Sequence, residues 1–125
     1  MSAPVVVVVE DNAELRLALK EALAAEGYEV LAARDDTEAL ELLRSRTVDL
    51  LISDLTGPAE STDTIEAVRK EFPGLPVVAL SDGADSQPAL FFSAWRDPKA
   101  VRTLPRPFRL GELLAVSREV LGSQR

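Results

Sequence analysis

Apolar residues along this chain follow two alternating rhythms, short unbroken runs and longer stretches spaced three and four apart. The first run, Val5 to Val9, is β-branched throughout and apolar at both parities, which predicts a central strand covered on both faces. A helical stretch follows, with Asn12 available as its cap and Leu15, Ala18, Leu19, Ala22 and Leu23 on one stripe until Gly27 closes it. Tyr28 to Ala32 reads as a second strand, and Asp36 or Thr37 as the cap of a second helix that turns Ala39, Leu40 and Leu43 inward. Val48 to Ser53 predicts a third strand ending against Asp54. After a loop at Gly57 to Ser61, the residues Ile65, Val68 and Phe72 mark a third helix, and Pro73, Gly74 and Pro76 punctuate the entry to a fourth strand at Val77 to Leu80. Ser81 to Ser86 predicts a loop, Leu90 to Trp95 a short and poorly patterned fourth helix, and Val101 to Leu104 a weak fifth strand. A last helix carries Leu110, Leu113, Leu114, Val120 and Leu121. Five strands alternating with five helices predict a doubly wound α/β domain with a five-stranded parallel sheet in the order 2-1-3-4-5.

Composition narrows this picture without changing it. At 125 residues the expectation is one domain over 1–125, since a chain of that size buries about two-thirds of its extended surface. With 46% hydrophobic and 28% charged residues it reads as an ordinary globular protein, with no stretch long enough to span a bilayer. No Lys or Arg precedes the valine run and an acidic pair ends it, so it does not read as a secretory signal, and a cytoplasmic location is expected. There is no cysteine and no histidine, which excludes thiol nucleophiles, imidazole bases, disulfides and the usual zinc sites. The net charge of -7 opposes direct binding to nucleic acid, which relies on Lys and Arg displacing counterions.

The chemistry lies at the ends of the expected strands. Taken singly, Glu10 and Asp11 are acids favoured at a helix N-terminus, Asp54 a solvated strand-end acid and Ser81 a turn hydroxyl. Together they place an acid pair, an acid, a hydroxyl and, with Arg106, a cation after successive strands, at the sheet edge where open α/β folds bind ligands. Three neighbouring carboxylates do not all ionise cheaply, and a hard divalent cation relieves them. Magnesium suits the set because it takes one or two carboxylates, keeps several waters and completes its octahedron with phosphate oxygens. Ser81 and Arg106 then have a phosphoryl group to bind. Asp54 is left as an in-line nucleophile that forms an aspartyl phosphate and needs no general base.

At this point the residues resemble the receiver domains of bacterial two-component response regulators. The acid pair in VVVVVEDN, the strand-end aspartate in VDLLISDL, the hydroxyl in PVVALSD and the basic-proline-aromatic element in LPRPF match in order and approximate spacing over nearly the whole chain. The resemblance implies a flavodoxin-like receiver fold and a signalling phosphoprotein rather than an enzyme. It makes Asp54 the acceptor of a phosphoryl group from a histidine kinase or phosphotransfer protein. Glu10, Asp11 and Asp54 become magnesium ligands together with the backbone carbonyl of Thr56. Ser81 is then implied to couple phosphorylation to the face of the fourth helix, fifth strand and fifth helix, which addresses a downstream protein or a fused output domain.

The chain also departs from that family's pattern. Arg106 stands where receivers nearly always carry Lys, and a planar fork is not equivalent to a compact ammonium. Thr103 replaces the switch aromatic, Asp82 adds an acid beside Ser81, and the loop after Asp54 keeps Pro58 but lacks the family's glycine. A second reading therefore stands beside the first, a phosphorylation-independent pseudo-receiver acting as a protein interaction module. Phe91, Phe92 and Trp95 are its candidate partner surface, with burial in the core the competing account of the same rings. A magnesium phosphotransfer enzyme of another α/β family, Toprim-like or with a nucleophilic aspartate, fits poorly. It calls for Asp-x-Asp, and the run Asp54, Leu55, Thr56 lacks the second acid.

Overall fold

A computed structural model describes residues 3–54, 68, 70–72, 74–81, 101–105 and 109–122, with residues 36, 54, 79, 81 and 101–105 described through their backbone. The five valines of β1 (Val5–Val9) are all buried, because both strand edges and both sheet faces are covered. On one side β1 pairs with β2 (Glu29–Ala33) and on the other with β3 (Leu50–Asp54). The sheet continues through β4 (Val77–Ser81) to β5 (Val101–Pro105), every pairing is parallel, and the order is β2-β1-β3-β4-β5. This is the α/β parallel-sheet class that the alternating periodicities predict.

Strand alternation sends the core to both faces. Val6, Val8, Leu50, Ile52, Val78 and Leu80 pack with Leu19 and Leu23 of α1 (Ala13–Ala25) and Leu113, Val120 and Leu121 of α3 (Leu110–Gly122). Val7, Val9, Leu51 and Val77 pack with Ala39 and Leu43 of α2 (Asp36–Ser45) and with Val68. Of the expected third helix, Val68, Lys70 and Glu71 are helical among the described residues. The expected loops at Gly57 to Ser61 and after Ser81, and the expected fourth helix at Leu90 to Trp95, lie outside them.

Both ends of α1 form as their residues dictate. The Asn12 side chain accepts from Leu15 N at 2.9 Å. At the other end Gly27 takes φ 97°, and the amides of Gly27 and Tyr28 donate back to Ala24 and Leu23. A left-handed residue is needed to aim those amides at the last carbonyls, and glycine takes it without a Cβ penalty. The cap of α2 corrects the expectation of Asp36 or Thr37. Asp35 holds it, extended at φ -150° and accepting from Glu38 N at 2.9 Å, while Asp36 is already helical. Three consecutive capping-competent residues leave the choice to the entry path from β2.

The apolar stripe of α3 also needs two corrections. Leu110 is 41% exposed although it falls on the stripe. A helical side chain leans over the turn N-terminal to its own Cα, so at the first position it overhangs the end. Ser117, a polar gap in the pattern, is fully buried, and its hydroxyl has no partner among the described residues. Such a hydroxyl forfeits its hydration, and alanine is the better helix former. Ser117→Ala is therefore expected to raise stability by about 1 kcal/mol in urea unfolding, and a loss of stability would show that the hydroxyl is bonded.

Polar links close the layers. Asp49 accepts from Val5 N at 2.8 Å through its side chain and donates its own amide to Val5 O at 2.8 Å, which locks the start of β3 to that of β1. Arg118 on α3 pairs with Glu26 at the end of α1 at 3.2 Å. Arg44 on α2 grips Glu71 with two bonds, 2.9 and 2.6 Å. That hydrogen bonding holds the Glu71 carboxyl below the ordinary glutamate range. The link therefore persists further into acid than a free glutamate would allow, and its contribution disappears as pH falls through the lowered value. Among the described residues, no helix is long and apolar enough to cross a membrane.

Candidate functional site

In a parallel sheet all strand C-termini meet one edge, and the register decides what stands beside what. Val9 pairs with Ser53, so Glu10 and Asp54 take the next positions on adjoining strands. Their backbones are therefore about one strand spacing apart, roughly 4.8 Å. Asp54 in turn pairs with Leu80, and Ser81 pairs with Pro105 one row further along the same edge. Asp54 is the last residue of β3 itself, one step beyond the expected boundary at Ser53, because its backbone still pairs with β4.

Glu10 is built into this edge. Its amide donates to Ala33 O at 3.0 Å, which carries the β1 pairing one residue past the strand. Its side chain is 1% exposed and its Oε2 accepts from Asn12 N at 3.1 Å. Burying a carboxylate is costly unless it is hydrogen-bonded or paired, and here an amide of the α1 N-terminus, the positive end of the helix dipole, supplies part of that compensation. Asp11, the next residue, is exposed. The pair thus offers one fixed and one solvated carboxylate at the same turn.

Sequence reasoning missed Arg16, whose Nη1 donates to Glu10 O at 3.0 Å. The available signal was its place in α1. A side chain just past the first turn leans back toward the helix N-terminus, here onto the strand end that carries the acid pair. Asn12 also has more work than the expected cap, since its amide holds the Glu10 carboxylate while its side chain holds Leu15 N.

The structure therefore brings Glu10, Asp11, Asp54 and Ser81 to one sheet edge. Thr56, Asp82, Phe91, Phe92, Trp95 and Arg106 lie outside the described residues, and Thr103 is placed by its backbone opposite Ala79. Among the described residues no three acidic side chains form a cation-binding group, and the carboxylate of Asp54 is not among those side chains. The donor set at this edge is oxygen only, with a buried carboxylate already oriented by an amide. Such a set fits a hard cation such as magnesium and does not suit a soft one.

Comparison with known proteins gives the same outline. The family model for the response regulator receiver domain matches residues 6–118. The DNA-binding transcriptional regulator NtrC of Escherichia coli (strain K12) is 32% identical over 117 residues, covering 93% of this chain and 24% of NtrC. The chain thus spans about a quarter of that relative's length. Among solved structures, a response regulator from Thermotoga maritima superimposes with a TM-score of 0.82 at 32% identity, covering 96% of this chain and 98% of the other. The response regulator protein TrrA from Thermotoga maritima, solved in complex with Mg(2+)-BeF, gives a TM-score of 0.79 at 26% identity, covering 94% of this chain and 98% of TrrA.

Proposed function

The chain belongs to the family of response regulator receiver domains, and on that premise we propose that it accepts a phosphoryl group on Asp54 from a histidine kinase or phosphotransfer protein, in a magnesium-dependent step. The observation that carries this reading is the register that sets Asp54 beside Glu10, on strands whose pairing partners lie more than forty residues apart in sequence. The Mg(2+)-BeF complex of TrrA supports the choice of ion.

In this reading Glu10, Asp11, Asp54 and the backbone carbonyl of Thr56 hold the cation. When bound, it offsets the charge of the acids and of the incoming phosphoryl oxygens. An Asp54 carboxylate oxygen attacks the phosphorus of a phosphohistidine. The new O–P bond forms as the N–P bond breaks, and the imidazole leaves with the electron pair and takes up a proton. The Ser81 hydroxyl donates to one phosphoryl oxygen and the Arg106 guanidinium to another, which positions the group without general-base help. The chain acts as a cytoplasmic phosphoacceptor rather than an enzyme, and it signals through the face of the expected fourth helix, β5 and α3. That face addresses a separate protein or an output domain on the same polypeptide, and the chain itself makes no direct contact with nucleic acid.

The test is intact mass after incubation with acetyl phosphate, with and without magnesium. A magnesium-dependent gain of one phosphoryl group is expected. No gain, with the protein folded, would replace this reading by the phosphorylation-independent interaction module.

A further inference from the structure

We infer that Arg16 is a resident countercharge to the Glu10 and Asp11 pair, and that it weakens the site's affinity for divalent cations. The inference rests on the reading of this edge as a cation site and extends it to a residue outside the ligand set. Arg16 Nη1 donates to the Glu10 carbonyl at 3.0 Å in a part-buried position. The guanidinium is therefore held within the span of one residue of the Glu10 carboxylate, at the same turn as Asp11.

Its location sets a positive charge beside the turn that carries the acid pair. The N-terminus of α1 is the positive end of a helix dipole, where a cation is disfavoured. The acids just before the helix offset that, and the guanidinium is anchored on the main chain of the residue whose carboxylate is buried. A guanidinium stays charged at any working pH, so its field is permanent. A divalent cation entering the same turn meets the attraction of the carboxylates and the repulsion of Arg16 at once. Arg16 thus stabilises the metal-free edge and opposes the metal-bound one.

The sign of the effect separates this role from a structural one. If Arg16 served only to hold the turn through the Glu10 carbonyl, removing it would loosen the ligands and weaken binding. If it acts as a countercharge, removing the charge tightens binding. Calorimetric titration of the whole chain with magnesium chloride at low ionic strength is expected to show Arg16→Gln binding about threefold to tenfold tighter than wild type, a gain that shrinks as salt screens the charge. Arg16→Met should behave like Arg16→Gln. Arg16→Lys, which keeps the charge, should stay within about twofold of wild type. Unchanged or weaker binding by both neutral variants, with wild-type binding intact, overturns this inference alone. No magnesium binding by the wild type overturns the cation-site reading and this inference with it.

Discussion

Asp54→Asn is expected to abolish phosphoryl uptake, leaving no mass gain with acetyl phosphate and magnesium under conditions that label the wild type. The nucleophile in the proposed step is an ionised carboxylate oxygen, and a neutral amide of nearly the same shape lacks the charge that makes it attack. The loss should be all or none rather than graded, because the other groups position and neutralise but supply no electron pair. Folding should survive, since Asp54 pairs with Leu80 through its backbone and the substitution leaves that pairing available. In the absence of magnesium the variant should melt no lower than wild type, as the proposed cation site then carries one acid fewer. A phosphoryl group still found on Asp54→Asn would move the acceptor to another residue and undo the assignment, while equal far-UV circular dichroism of the two proteins would exclude misfolding as the cause.

Leu19→Ala should cost about 2–5 kcal/mol, a large part of the roughly 5–15 kcal/mol that holds a domain of this size together. Leu19 is fully buried on α1, in the cluster it forms with Val6, Val8, Leu50, Ile52 and Leu113. Truncation there loses the transfer energy of the removed atoms and leaves a cavity between helix and sheet that neither rigid layer closes. A second leucine of α1 supplies the contrast. Leu17, on the same helix, is 55% exposed, so Leu17→Ala is expected to change stability by no more than about 0.5 kcal/mol. Urea unfolding of the two variants in parallel checks this. Similar losses at both positions would mean that α1 packs on the sheet through a different face.

Much of this is legible in the sequence alone. The unbroken Val5 to Val9 run reads as a doubly covered strand because it is apolar at both parities, and Asn12 as a cap and Gly27 as a stop because each depends on neighbours within a few residues; all three stand in the structure. Glu10, Asp11, Asp54 and Ser81 could be singled out because strand ends are readable from where apolar runs stop. Other features were not legible. Asp35, Asp36 and Thr37 can each cap a helix, and only the approach from β2 selects Asp35. Ser117 looks like a break in an apolar stripe, yet it lies on the buried side of α3. Arg16 looks like a solvated helix charge until the strand end beneath it is in place.

Among the described residues, the sequence by itself determined the strands and the helices α1, α2 and α3, the caps of α1 and the residue kinds available at each strand end, because these follow from short-range periodicity and local hydrogen bonding. Tertiary structure decided which of those ends meet. Pairing Val9 with Ser53 and Asp54 with Leu80, and locking Val5 to Asp49 across forty-four positions, are hydrogen-bonding choices that no local pattern encodes. The strands, apolar at both parities, leave the register to contacts between distant residues, such as the lock of Val5 to Asp49, and to the helices that cover both faces. That same register makes neighbours of acids scattered along the chain.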